Sequence, residues 1–543
     1  MNSATHWPKH LYLIAGGNTA HQHKPTRESM GSKAFNLLRM AKIGLPIPPA
    51  LVVGTHYTQN PDECMLPIFG VGLAALQEAS GLVFGDARAP LIVSVRSGAP
   101  VSMPGMMESL LNIGLCDATL PGLLRQTGNP RLVWDAYRRL IASYGEVVAG
   151  LQASLFEAEI DRATRGGDER QLDFSELRDL ARGFQTIFQQ NTGTAFPQDV
   201  NEQLSGAIRA VFASWEAEKA QAYRRLNQID SAMGTAVTIQ GMVFGNSGGH
   251  SGAGVGFSRD PTTGEKQLWV DFLADAQGED VVSGRRNAHG HQALASLAPV
   301  AWHRLEQSTQ ALEREFTDMQ DFEFTVQEGI LHLLQTRNGK RTPLATARIA
   351  LDFMDEGLID AATALLRTKD LKDDDIGTVR LAPHDNSQSL TSPAAAATSA
   401  CAGVVSGEIA LDGERAALRA GEGVAIILVR QDAETSDIVA MESAVGLLTQ
   451  RGARTSHAAV VARQLGKVCL VGCQDLRIDP VARTISLGKM VFNEGDVITL
   501  DGNEGSVYPG SVAAVLVPDV LLLGRLKALR KSQAQALHRK PRK

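Results

Sequence analysis

The segment LLTQRGARTSHAAVVARQLGKVCLVG, residues 447–472, constrains this chain more than any other stretch. A short apolar strand, VGLLT, runs into a glycine-containing turn. Beyond His457 the residues AAVVARQLG are small and apolar, and Arg463 and Lys467 follow. Thr455 and Ser456 are good N-cap residues, so the pattern predicts strand, turn and helix with His457 in the first helical turn. Unpaired backbone N–H groups and the helix dipole favour an anion there. The same field favours neutral imidazole, the form with a nucleophilic nitrogen. A neutral histidine beside an anion site is what a phosphohistidine intermediate needs. A capping or core histidine at a strand–helix turn satisfies the same local pattern.

A second constellation lies in QDFEFTVQEGILHLLQTRNGKRT, residues 320–342. Asp321 and Glu323 alternate with Phe322 and Phe324. In a strand both carboxylates share one face and both rings the other. Glu328-Gly329 can turn the chain, and ILHLLQTR returns as a partner strand with Gln335 and Arg337 on one face. Two carboxylates, an amide and a cation in register would suit Mg²⁺ bridging a polyphosphate. A solvated polar face on a hairpin is the other reading.

Three further segments bear on that choice. VFGNSGGHSGAGVGFSRDPTTGEK, residues 243–266, is glycine-rich with Ser247 and Ser251 among the glycines, a composition that lets backbone N–H groups cradle phosphates. It does not fit the G-x-x-x-x-G-K-[ST] phosphate loop. SVRSGAPVSMPGMMES places Arg96 at a strand end, where it can reach an anion, and Lys33 lies at the start of the helix expected for GSKAFNLLRMAKIGLP.

With 543 residues the chain is long enough for several domains, and 21% charged with 44% hydrophobic residues is an ordinary globular balance. A net charge of −6 argues against a general nucleic-acid binder. No apolar run of about 18 residues occurs, so no membrane span is expected. Cys64, Cys116, Cys401, Cys469 and Cys473 are odd in number and lack a C-x-x-C pair, as expected of reduced thiols in a cytoplasmic protein. Residues 151–235 read as mostly helical, 236–340 as strands with glycine-rich turns, 343–375 as connecting helices, and 376–400, with LTSPAAAATSA, as a linker. The tail LLLGRLKALRKSQAQALHRKPRK carries eight Lys or Arg and no acid. It reads as a solvated, helix-prone segment, or as a docking segment for an acidic partner.

These segments resemble, in order, the pyruvate phosphate dikinase and phosphoenolpyruvate synthase family. T-S-H-A-A-V-V-A-R is similar to its phosphohistidine signature. GSKAFNL…IGLPIPP, SVRSGA, SMPGMM, NPRLVWDAYRRLI, SGAGV, LADAQGEDVV and LQTRNGKRT carry the likeness from about residue 27 to residue 512. The resemblance implies an α/β multidomain chain. Residues 1–342 would form an ATP-grasp nucleotide-binding domain with a helical subdomain at about 120–235, and 343–400 a helical connector and linker. Residues 401–515 would form a swivelling β/β/α phosphohistidine domain, and 516–543 a basic tail. It further implies ATP as substrate with Mg²⁺ and His457 as the catalytic nucleophile. The implied nucleotide contacts are Lys33, Arg96, Gln240, Met242, Glu279, Asp321, Glu323, Gln335 and Arg337, with Asp321, Glu323 and Gln335 on the metal. Thr455 matches the position of a regulatory phosphothreonine in plant dikinases. Where the family reads G-G-M before the T-S-H triplet, this chain has Gly452-Ala453-Arg454, a cation next to the histidine.

The family continues into a C-terminal barrel that binds pyruvate or phosphoenolpyruvate, and a barrel needs roughly 250 residues. Only about thirty follow EGDVITLDGNEGSVYPG here. The resemblance therefore implies a dikinase-like phosphotransferase that autophosphorylates on His457. The phosphoryl group would pass to an acceptor on a separate subunit or to a small molecule such as pyruvate, with inorganic phosphate as a co-substrate. No nucleic-acid or membrane partner is expected, and a homodimer is compatible with the sequence. A phosphohistidine relay or regulatory protein, and an inactive scaffold, are the rival readings.

Overall fold

In the computed structural model, Gly31 breaks the first helix, Arg27–Lys42, with φ 74° and ψ 159°. A Cβ at Gly31 would lie 1.7 Å from the Gly98 carbonyl oxygen, so only glycine allows this approach. The helix that restarts at Ser32 is the one the sequence predicts, and it carries Lys33. The structure describes residues 7–16, 18–101, 103, 105–282, 290–382, 392–432, 437–452, 454 and 457–538. Contacts divide the chain into two compact units, Met1–Gly252 with Thr325–Thr336, and Ala253–Phe324 with Arg337–Lys543.

The first unit holds a six-stranded antiparallel sheet. Its strands are β1 (Leu11–Ala15), β2 (Asn18–His21), β3 (Ala50–Val53), β4 (Val93–Gly98), β5 (Ser109–Ile113) and β6 (Ala236–Gly241), in the order β2-β1-β3-β6-β4-β5. Leu51, Val53, Val93, Val95, Val237 and Ile239 join one core with the helices that follow. The helix Phe174–Thr192 shows why that region is helical. Asp173 and Glu176 form a capping box, Leu177, Leu180, Ala181, Phe184 and Phe188 are buried at helical spacing, and Gly193 ends it at φ 76°.

A four-stranded sheet contains β7 (Gly252–Phe257), β8 (Trp269–Ala274), β9 (Gln320–Gln327) and β10 (Ile330–Asn338), in the order β10-β9-β7-β8. Between β8 and β9 the chain forms the helix Pro299–Phe316, which a strand reading of 236–340 did not anticipate. Pro343–Asp355 and Ala361–Arg367 are the expected connecting helices.

Residues 376–400 are not only linker. Among the described residues they include β11 (Gly377–Leu381), β12 (Ala395–Ala396) and most of β13 (Thr398–Cys401). These pair with strands far along the sequence, which local composition cannot reveal. β14 (Val404–Ala410), β15 (Ile426–Arg430), β16 (Gly446–Thr449) and β17 (Val468–Val471) run parallel, joined by short helices. A three-stranded sheet follows from β18 (Leu476–Asp479), β19 (Thr484–Leu487) and β20 (Met490–Asn493). β21 (Val497–Asp501), β22 (Ser506–Pro509) and β23 (Ala514–Pro518) complete the strands, and the large sheet has the order β12-β22-β21-β14-β15-β16-β17-β13. In β15, Ile427 and Val429 pack with Leu476, Ile485 and Leu487 of the small sheet, whereas Ile426 and Leu428 pack with Ala416, Ala440 and Ala462 of the helices. Two cores on opposite faces of one sheet give β, β and α layers.

In its described residues the basic tail is helical, as expected, but docked rather than solvated. β23 pairs with β11, and Val520–His538 is a helix. Leu522, Leu526 and Leu529 are buried with Leu344, Leu351, Ala364 and Ile376. Arg525 pairs with Asp352 at 2.9 Å and Asp355 at 2.8 Å, and Lys527 with Asp373 at 2.7 Å. For Arg525 and Lys527 the acidic partners lie in this chain's own connector. Among the described residues no helix is long and apolar enough to cross a membrane.

Candidate functional site

In the first unit, β4 delivers a cation to the end of a buried strand. Val93 and Val95 face the core, and the half-buried Arg96 donates from Nη2 to Gln335 Oε1 at 3.5 Å. Lys33 lies beside the same strand end, its Cβ 3.8 Å from where a Gly98 Cβ would stand. Ser32 bonds the Ala99 carbonyl from both its N–H and its hydroxyl at 2.9 Å, which ties the helix start to the loop after β4. Gln240 is 2% exposed and donates to the Pro48 carbonyl at 3.2 Å. The Met242 amide bonds the Ile92 carbonyl at 2.8 Å, and its side chain packs on the sheet core.

The hairpin of β9 and β10 turns at Glu328-Gly329, with φ of 50° and 79°. Positive φ at both central residues is the geometry of the two-residue turns that match strand twist. Phe322 and Phe324, each 1% exposed, fill the core face as the alternation predicts. The glycines of β7 serve those rings. A Cβ at Gly254 would stand 2.3 Å from Phe324 Cζ, and one at Gly256 would stand 2.8 Å from Phe322 Cζ. Within β7, then, glycine makes room for the two rings. Ser247 and Ser251 are engaged locally: Ser247 Oγ donates to the Phe244 carbonyl at 3.1 Å, and Ser251 Oγ accepts from the Glu328 amide at 2.9 Å.

On the polar face, Arg337 Nε donates to Asp321 Oδ2 at 2.7 Å. Burial pushes the Asp321 carboxyl up, and the Arg337 guanidinium opposes the rise. The Asp321 charge in turn raises Arg337, and Glu323 adds to both effects, which places its charge close to the pair. Glu323 is only partly buried, so it is the more accessible carboxylate. Glu279 is exposed in the short helix Gly278–Val282. Among the described residues no three His, Cys, Asp or Glu side chains are arranged to hold a metal ion.

His457 is the first residue of the helix His457–Gln464, which follows the parallel strand β16, as the sequence predicts. Its backbone N–H is among those the first helical turn leaves without an intrahelical partner. The His457 side chain and residues Ala453, Thr455 and Ser456 lie outside the described set, and with them the capping role and the regulatory threonine. Sequence reasoning missed what holds the turn. Arg454 donates to Asp271 Oδ1 from Nε at 3.0 Å and from Nη2 at 2.9 Å, and its guanidinium stands 4.2 Å from the Trp269 ring centroid. The buried Arg463 donates to the Ala400 carbonyl at 2.9 Å and the Arg454 carbonyl at 3.0 Å. The unusual Arg454 was visible, but its partner 183 residues earlier was not.

Residues 74–296 match the pyruvate phosphate dikinase AMP/ATP-binding domain, and residues 423–505 match the mobile domain of PEP-utilising enzymes. The pyruvate, phosphate dikinase of Clostridium symbiosum is 40% identical over 518 residues, 93% of this chain and 58% of its own length. That of Rhizobium meliloti is 39% identical over 526 residues, again 93% and 58%. The chloroplastic enzyme of Flaveria pringlei is 40% identical over 507 residues, 91% of this chain and 52% of its own. The chain thus spans a little more than half the length of these relatives. The two domain matches fall in the same order as the nucleotide-side strands and the His457 layer, and with this identity along nearly the whole chain they show that it belongs to the pyruvate phosphate dikinase family.

Proposed function

We propose that this chain is an ATP-dependent phosphotransferase in which His457 is the nucleophile and carries a phosphoryl group to an acceptor bound elsewhere. The observation that carries the reading is the position of His457 at the head of a helix after a parallel strand, in a chain that matches an AMP/ATP-binding domain. An imidazole nitrogen attacks the β-phosphorus of ATP. The N–P bond forms as the bond to the α–β bridging oxygen breaks, and AMP leaves with that electron pair. Inorganic phosphate then takes the terminal phosphoryl group as pyrophosphate and leaves phosphohistidine. Because the relatives are named pyruvate, phosphate dikinases, pyruvate is the first acceptor to test.

Lys33, Arg96 and Arg337 supply positive charge toward the polyphosphate, with Gln240, Met242 and Glu279 on the nucleoside and ribose side. An ATP-grasp arrangement is the framework this reading uses. The carboxylates also suit a Mg²⁺ ion, which takes one or two carboxylates together with substrate phosphates. Glu323 would hold it, with Asp321 and Gln335 as further oxygen donors, and the ion would neutralise phosphate charge. Positioning does most of the work in such transfers.

The test is to incubate the purified protein with ATP, Mg²⁺ and phosphate and identify the products. AMP with pyrophosphate is expected. ADP alone would replace the reading with a simple kinase, and formation of neither AMP nor ADP would favour a scaffold.

A further inference from the structure

Arg454 and Asp271 form a clasp that the phosphotransfer reading does not require. Asp271 is 2% exposed in β8, and two bonds from one guanidinium meet its Oδ1. Trp269, two residues earlier, shares that face of the strand. Its ring meets Arg454 at 4.2 Å and Arg463 at 5.3 Å. Arg463 is 1% exposed, and among the described residues its Nε and Nη1 meet no acceptor. The guanidinium lies instead near the rings of Trp269 and of Phe257, the latter at 5.1 Å. Its Nη2 bonds the Arg454 carbonyl. Side chain and backbone of one residue, three positions before His457, are therefore both fixed.

The clasp is asymmetric. Arg454 is partly exposed, whereas the Asp271 side chain is 3% exposed. If Arg454 departs, a buried carboxylate loses its guanidinium partner, which is unfavourable. A methionine at 454, as in the family pattern, could offer no such bond.

We propose that Arg454 is a positioning residue. By clasping Asp271 and Trp269 it holds the His457 turn against β8 in the geometry that receives the phosphoryl group from ATP. This role rests on the proposed function. The clasp favours capture of the phosphoryl group over release of the turn toward a distant acceptor. Well-oriented reacting groups owe much of their rate to such fixing, and displacement of about 1 Å can cost on the order of a hundredfold.

The test uses the full chain and the variants Arg454→Met, Arg454→Lys, Asp271→Asn and Arg454→Met/Asp271→Asn. Two quantities are measured: the rate of His457 phosphorylation across ATP concentrations, and hydrogen exchange in peptides spanning β16 to the His457 helix. Arg454→Met should lower the maximal rate about tenfold or more, the loss expected for a charge-assisted bond. The ATP concentration for half-maximal rate should stay unchanged, and exchange in the turn should speed up. Asp271→Asn should act alike, the double variant should be no worse than Arg454→Met, and Arg454→Lys should recover part of the rate. A merely structural contact would lower stability without this separation of maximal rate from half-saturation. Wild-type maximal rates in both single variants, or unchanged exchange in Arg454→Met, would overturn the proposal. A wild-type chain that takes no phosphoryl group at all would instead overturn the proposed function, and the positioning role with it.

Discussion

Substituting Gly31 by alanine should disable nucleotide handling without removing any proposed ATP contact. Gly31 and Gly44 have almost the same backbone φ, 74° and 75°, so a side chain at either is strained. Such strain costs about 1–3 kcal/mol. At Gly44 nothing lies within 4 Å of the added Cβ, so Gly44→Ala should stop there. At Gly31 the new atom would stand 1.7 Å from the Gly98 carbonyl oxygen, and reaching even 3.0 Å demands a shift of 1.3 Å. The obstacle is backbone on both sides, so overpacking should add about 1–3 kcal/mol. The segment that must yield is the end of β4 with Arg96, beside Lys33. We expect Gly31→Ala to lose about 2–6 kcal/mol in urea unfolding and to phosphorylate His457 on the order of a hundredfold more slowly. Gly44→Ala serves as the matched control. Equal unfolding midpoints for the two variants, or wild-type phosphorylation in Gly31→Ala, would refute the reasoning.

Other substitutions probe separate parts of the account. Glu323→Ala should raise the Mg²⁺ concentration needed for His457 labelling at least tenfold, because it removes the more accessible carboxylate, and an unchanged Mg²⁺ titration would count against that role. Leu526→Ala should lower stability by about 2–5 kcal/mol in thermal or urea unfolding, since its side chain is fully buried against the connector helices; a wild-type midpoint would mean the tail helix does not dock. Thr455→Glu should slow labelling of His457, because an anion two residues before it in sequence repels the incoming polyphosphate, and full activity would argue against control at that position.

What could be read beforehand was local. The apolar GLLT strand, the glycine turn and the small residues after His457 specify strand, turn and helix within one short window. The Phe322/Phe324 alternation and the Glu328-Gly329 turn likewise define the β9–β10 hairpin by nearest neighbours. The features that escaped depend on distant partners. Ala395 and Ala396 look like linker until β22 pairs with them, and the basic tail looks solvated until Asp352, Asp355 and Asp373 are found beneath it. Glycine is ambiguous by nature. Gly254 and Gly256 suit a phosphate loop in composition, yet the space they leave is filled by two phenyl rings. Arg454 was conspicuous in the sequence, but its meaning depended on Asp271 and Trp269 far upstream.

The central claim is that His457 becomes covalently phosphorylated. ATP labelled at the β-phosphorus, incubated with the full chain and Mg²⁺, should leave label on the protein that survives alkali and is released by acid, since protonation breaks a nitrogen–phosphorus bond. His457→Ala should bind ATP as before and take no label. Label that persists in His457→Ala, or that survives acid in the wild type, would contradict the account.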